Sequence, residues 1–243
     1  MKNNIIFYFL CFLLFGCTNE GKQSNVEQQE KATEPPKERV VKNNVIISGH
    51  LPEIEIKVED SFEYVGKFDF EIIASSEEYE PEILGKAIAA GERMVFVEAD
   101  ESKIVNKLFI VQFEGFLPQY NFTYNYNFDQ AGYIGENKYR HNTWFYNSKQ
   151  LAIENPKNEG AKTRKFLEDK GYILEDEFMM SRFVGLASED RINEIIIYHL
   201  EMLQKNTGHT LEELENTVDK SKFEEIKNAL IERSKKSFSI VKG

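Results

Sequence analysis

Phe62-Glu63-Tyr64-Val65-Gly66-Lys67-Phe68-Asp69-Phe70-Glu71-Ile72 is the stretch that decides the fold class. Phe62, Tyr64, Phe68, Phe70 and Ile72 share one parity, and Glu63, Lys67, Asp69 and Glu71 take the other. Successive side chains of a strand point to opposite faces, so this spacing predicts a strand with one dry face and one wet one. Upstream, Ile54, Ile56 and Val58 alternate with Glu55 and Lys57 in the same way. Downstream, residues 92 to 98, 108 to 117 and 119 to 128 continue the style.

The later half mixes periods. Pro81 to Ala90 reads as a short helix, with proline in its first turn and Gly91 after its end. A polar stretch opening at Asn155-Pro156 becomes helical near Ala161 and stops at Gly171. Residues 178 to 186 and 194 to 202 read as strands, because Ile195-Ile196-Ile197-Tyr198 is β-branched and aromatic. A single helix from Glu189 to Leu203, capped by Asp190, is the competing reading. Thr210 with Glu213, and Ser221 with Glu224, have the spacing of capping boxes. Leu211, Leu214 and Val218, then Phe223, Ile226 and Leu230, would bury one stripe of the helices that follow. Strands first and helices last predict an α+β domain, an antiparallel β-sheet with helices packed on one face and C-terminal helices.

The N-terminus carries a different signal. Lys2 precedes an unbroken apolar run of eleven residues, Ile5 to Phe15. A helix needs about 20 apolar residues to span a bilayer, so the run fits the core of a secretory signal instead. Leu14-Phe15-Gly16-Cys17 resembles the lipobox of bacterial lipoproteins. That resemblance implies cleavage before Cys17 and a lipid anchor on its sulfur. Residues 1 to 16 are then a lipoprotein signal peptide. Residues 17 to 44 are the lipidated cysteine and a polar tether with Pro35-Pro36 at its middle, reaching about 30 Å. Residues 45 to 243 form a single globular domain. The only other cysteine, Cys11, lies in the leader, so the processed chain has no disulfide and no free thiol nucleophile.

Loss of Lys2 with the leader takes the formal net charge from −11 to −12. Phosphate backbones are held by lysine and arginine, so nucleic acid is not an expected partner. The chain has no P-loop, no paired histidines of a zinc peptidase and no Gly-x-Ser-x-Gly elbow. Its four histidines are His50, His141, His199 and His209. Nothing in their spacing calls for a metal or cofactor; His199, Glu201 and His209 are a minor possibility as ligands.

Two groups of residues could carry a function. Tyr120, Phe122, Tyr124, Tyr126 and Phe128 share a parity opposite Asn121, Thr123, Asn125 and Asn127, and Trp144 follows nearby. Rings with polar tips suit sugars or amphipathic ligands, although a core strand gives the same pattern. The second group is polar residues inside apolar strands: Glu114, Arg182, His199 and Glu201. If their strands are neighbours, the four could meet on one sheet face as a salt-bridge network or a ligand site.

Phe113-Glu114-Gly115-Phe116-Leu117-Pro118, Asn158-Glu159-Gly160-Ala161, Ile195 to Glu201 and Thr207-Gly208-His209-Thr210 together resemble a family of exported bacterial proteins with no assigned activity. The resemblance spans residues 92 to 236 and implies a self-contained domain without lending catalytic residues. The expectation is a membrane-tethered envelope lipoprotein whose soluble domain binds or scaffolds a glycan, lipid or protein. The alternative is a small envelope hydrolase drawing its acid and base from Glu114, His199, Glu201 or His141. Thr18 is not the aspartate that retains lipoproteins at the inner membrane, which in a Gram-negative source points to the outer membrane.

Overall fold

The computed structural model describes residues 38–128 and 131–243. The signal peptide, Cys17 and most of the expected tether lie outside the described residues. Among the described residues, eleven strands and five helices follow in chain order. The strands are β1 (Val40–Lys42), β2 (Val45–Gly49), β3 (Glu53–Val58), β4 (Glu63–Ile73), β5 (Ala87–Ala99), β6 (Val105–Phe116), β7 (Ala131–Ile134), β8 (Asn137–Asn147), β9 (Glu177–Leu186), β10 (Asn193–Met202) and β11 (Phe238–Lys242). The helices are α1 (Ser148–Glu154), α2 (Glu159–Glu168), α3 (Leu203–Thr207), α4 (Leu211–Asn216) and α5 (Lys220–Lys236). The domain is α+β.

Two antiparallel sheets carry the architecture. The larger runs β4-β5-β6-β10-β9-β8-β7 and the smaller β1-β2-β3-β11. Within the large sheet, β4-β5-β6 and β7-β8-β9-β10 are meanders of consecutive strands. One non-consecutive ladder, β6 with β10, zips them together from Gly115↔Asn193 to Lys107↔Glu201. That seam fixes which side chains share a face.

On the inner face, Phe96, Phe109, Val111, Phe113, Phe183, Ile195 and Ile197 pack against Ile46, Ile54, Ile56, Val58 and Phe238 of the small sheet. Phe109 is the hub, with ring centroids 6.0 Å from Phe62, 6.0 Å from Phe96 and 5.4 Å from Phe238. Such pairs add about 1 kcal/mol each beyond the area they bury. On the outer face, Val95, Leu108, Ile110, Ile196 and Leu200 pack against Leu167 of α2. Meanwhile α5 sets Ile226 and Leu230 against Met179 on the inner face. Helices therefore cover both faces, not one, and the inner face shares its cover with a second sheet. The short β1–β2 hairpin and the late β11 lacked the length to announce that sheet in the sequence.

Most expected elements form. Residues 194 to 202 are a strand, and the competing helix does not form, because β10 is sandwiched between β6 and β9. Thr210 and Glu213 close the capping box. Three readings need correction. Pro81 to Ala90 is not helical: turns precede β5, which begins at Ala87. The cap of α5 is Asp219, whose side chain accepts from the Lys222 amide, so Ser221 lies inside the helix. Residues 119 to 128 are extended but form no strand. In addition, β1 lies within the segment read as tether. Among the described residues, no helix is long and apolar enough to cross a membrane.

Candidate functional site

Residues 117 to 128 form a strap. It leaves central strand β6, crosses the outer face of the large sheet and delivers the chain to edge strand β7. Its alternation is real: Tyr124 is buried and Tyr126 half-buried, while Thr123, Asn125 and Asn127 are exposed. The dry side faces the sheet below rather than a flanking strand. Arg191, in the β9–β10 turn with φ +61°, clamps the strap from one end. Its Nε donates to the Tyr124 carbonyl at 2.7 Å and its Nη2 to the Tyr126 carbonyl at 2.8 Å.

Beneath the strap lies a buried polar chain. Arg93 donates to Thr163 Oγ1 (2.8 Å) and the Glu159 carbonyl (3.1 Å) of α2, and through Nε to Gln112 Oε1. Gln112 Nε2 donates to Glu114, which also accepts from the Tyr124 hydroxyl at 3.0 Å. Glu114 stands directly across the ladder from Glu194, and the two carboxyls share a hydrogen bond. Such a bond needs a proton on one of them. Burial pushes both groups above the usual carboxylate range, and the negative charge of Glu114 holds Glu194 well above it. Glu194 is the more strongly raised of the two, which makes it the donor of the pair. Burial, then the Glu114 charge, also raises Tyr124 far above its ordinary value.

Beside this chain the outer face gathers cations. Arg140 and Arg191 lie 5.8 and 5.9 Å from the centre of the Tyr126 ring, and the Arg182 guanidinium stacks 5.1 Å above Trp144. Arg182 faces Tyr198 on one side and Asn142 on the other in the ladder. Arg182 Nε and Asn142 Oδ1 are both sealed from solvent and find no hydrogen-bond partner among the described residues. An unmatched buried polar atom costs about 1–3 kcal/mol, so each counts against the stability of this face. Arg182, Asn142, Trp144 and Tyr126 are each half-buried, leaving part of every side chain open to solvent.

The structure thus brings Glu114, Arg182, Tyr124, Tyr126 and Trp144 to one face. It does not bring His199 and Glu201 there; they point to the inner face, since odd residues of β10 oppose the even ones. Glu201 is fully buried and accepts from His199 Nε2 at 2.8 Å and from both arms of Arg233 on α5, at 2.8 and 2.7 Å. Burial opposes its charge, but those hydrogen bonds prevail and pull it down to about 2. This is a structural ion pair. His209 is elsewhere, 3.8 Å from Glu213. Among the described residues no group of three or more His, Cys, Asp or Glu is arranged to hold a metal.

His141 also points inward and meets Ser181 at 2.8 Å. A serine beside a histidine invites a catalytic reading, but the hydrogens run the wrong way. Ser234 donates to the Ile231 carbonyl, so its oxygen accepts from Ser181, whose oxygen in turn accepts from His141 Nε2. Ser181 is fully buried and hands its proton away from the imidazole, whereas a nucleophile must hand it to its base. Glu114 and the three inward residues occupy opposite faces, so the acid–base set of a hydrolase does not assemble in one cleft.

Sequence reasoning missed Glu194, Asn142, Arg140 and Arg191. Glu194 was findable by the rule that picked out Glu114, a carboxylate interrupting an apolar strand. The arginines were not, because their meeting depends on the strap's path. A recess of about 890 Å³ opens on the inner face beyond the β2–β3 hairpin, floored in part by Ala90 and Gly115. Two of its cations are paired with carboxylates, Arg39 with Glu92 at 2.9 Å and Lys67 with Glu92 and Glu38 at 3.2 Å each, and a third, Lys162, donates to the Glu71 carbonyl at 3.3 Å. No protein-family model, curated protein or solved structure matches the chain.

Proposed function

We propose that this chain is a lipid-anchored envelope protein whose domain is a non-catalytic binding module, with the strap face as its ligand surface. Cys17 carries the anchor and the polar segment after it supplies reach; in a Gram-negative source the outer membrane is the site. The observation that carries the binding reading is the half-exposed rings of Tyr126 and Trp144 with the guanidiniums of Arg140, Arg191 and Arg182 beside them. A partner lying against this face would be held by aromatic contact and by hydrogen bonds from the guanidiniums together.

The test uses Trp144, the only tryptophan of the chain, as a built-in reporter. Its fluorescence is followed while neutral and anionic saccharides, short peptides and phospholipid micelles are titrated in. A saturable change that Asn142→Leu weakens supports the module; silence across all four classes removes it. The anchor is tested separately by the mass of the mature N-terminus, with Cys17→Ser expected to release the protein from membranes.

A further inference from the structure

We propose that the free edge of β4 takes up an extended peptide as an added strand, with lysine or arginine at the positions facing Asp69 and Glu71. This surface is separate from the strap face: four strands of the large sheet stand between β4 and β8, the strand of Trp144.

Backbone geometry is the first argument. β4 ends the large sheet on one side and pairs with β5 alone. The Ala74 amide donates to the Lys86 carbonyl and its carbonyl accepts from the Gly85 amide, so even-numbered residues here turn their peptide groups toward β5. Peptide groups alternate in direction along an antiparallel strand, so those of Lys67, Asp69 and Glu71 turn outward. Lys162 shows that direction, its Nζ reaching from α2 to donate to the Glu71 carbonyl at 3.3 Å. Among the described residues, no acceptor outside the sheet meets the amides of these three. A row of outward N–H and C=O groups is a template for another strand.

Space is the second. The recess of about 890 Å³ straddles this edge, with Lys162 of α2 on one side and His50 and Leu51 of the β2–β3 turn on the other. Lys67, Asp69 and Glu71 line it, and the small residues Ala90 and Gly115 keep its floor low. An added strand therefore finds a trough for every second side chain. In strand addition the main-chain bonds give affinity and such pockets give specificity.

Charge fixes the occupant. Arg39 and Lys67 are taken by Glu92 and Glu38, and Glu114, which also lines the recess, is held by Gln112 and Tyr124. Asp69 and Glu71 are exposed and form no ion pair among the described residues. Set against these two acids are His50 and Lys162, and Lys162 is spent on a carbonyl. Asp69 also faces Glu92 across the β4–β5 ladder, and like charges so placed destabilise a sheet. A cation on the open side of Asp69 offsets that. Charged side chains at an edge deter indiscriminate pairing, and here they specify the partner instead. Antiparallel addition, the pattern of both sheets, sets the order basic, apolar, basic, apolar, acidic against Glu71 to Lys67. The apolar positions fall beside Phe70 and Phe68 on the outer face.

The experiment titrates the full-length protein in detergent micelles with an acetylated peptide reading lysine, valine, lysine, valine, glutamate between threonines. A second peptide carries glutamate in place of both lysines, and a third is the first with both lysine amides N-methylated. Saturable calorimetric binding of the first, roughly tenfold tighter than the second, supports the proposal. Hydrogen exchange at the amides of Lys67, Asp69 and Glu71 should slow when it binds. Asp69→Lys combined with Glu71→Lys should reverse the preference between the first two peptides, and both side chains are exposed, so the fold is kept. The third peptide should not bind, because it cannot donate to the carbonyls of the edge. Absence of binding by the first peptide overturns the proposal. Equal binding of the third overturns it too, since charge then acts without a strand. Concentration-dependent pairing of the protein with itself, lost in the double variant, also overturns it, because the occupant is then a second copy.

Discussion

Glu114 on β6 and Glu194 on β10 stand directly opposite each other in the ladder that joins the two meanders, 8% and 6% exposed. Like charges in facing positions destabilise a sheet. The shared proton turns that repulsion into a hydrogen bond, but only while the proton stays.

Both carboxyls titrate above their ordinary value of 4.5 in the folded chain. Their contribution to stability is therefore complete below that value and is lost as pH rises through the folded range. Glu194→Gln keeps a donor toward Glu114 and removes the proton that can leave. The variant should match the parent near pH 5 and exceed it by about 1 kcal/mol at pH 9. Urea midpoints at pH 5, 7 and 9 check this; parallel pH profiles would mean that the pair does not share a proton.

The inner-face pair behaves in the opposite sense. Glu201 is lowered to about 2, so its contribution is present above the ordinary carboxyl range and is lost as pH falls toward 2. Glu201→Gln should cost about 2 kcal/mol at pH 7, a moderate figure because Arg233 is 41% exposed and partly solvated. The gap between variant and parent should close in acid. Thermal unfolding from pH 7 to pH 2.5 decides it, and a gap that persists in acid contradicts the assignment.

A Cβ on Gly91 would sit 2.2 Å from the Phe113 carbonyl oxygen and 2.9 Å from the Phe70 ring. Backbone in the middle of a ladder cannot step aside cheaply. Gly91→Ala is expected to cost about 3 kcal/mol, at the upper end for overpacking, read as a fall in the urea midpoint. A midpoint within experimental error of the parent would show that β5 and β6 can separate locally.

Ser181→Ala breaks the relay between His141 and Ser234 and should cost about 1 kcal/mol. It should leave ligand-induced changes in Trp144 fluorescence intact, since Trp144 sits on the other face. Loss of turnover on an ester substrate, in a Ser181→Ala protein that still folds, would reinstate the hydrolase.

The long strands were legible because alternation repeats over many residues, and the Thr210–Glu213 box because both its partners are local. The strap shows where that legibility stops. Alternation at Tyr124 and Tyr126 reports one dry side and one wet side, and it is silent on whether the dry side meets a strand or a sheet face. The same limit explains the split among Glu114, Arg182, His199 and Glu201. Parity within each strand was readable, but the β6–β10 and β9–β10 registers, which decide whose even positions face whose odd ones, are long-range facts.

The pairing of β11 with β3 has a consequence in time. Phe238 lies against Val58, and its ring touches Phe109 and Phe183 in the core between the sheets. A chain made or threaded from its N-terminus cannot close that core until residues 238 to 242 have arrived. Contacts between distant parts of a chain slow folding. Until then β3 waits with a bare edge, which exposes the chain to proteases if it stalls.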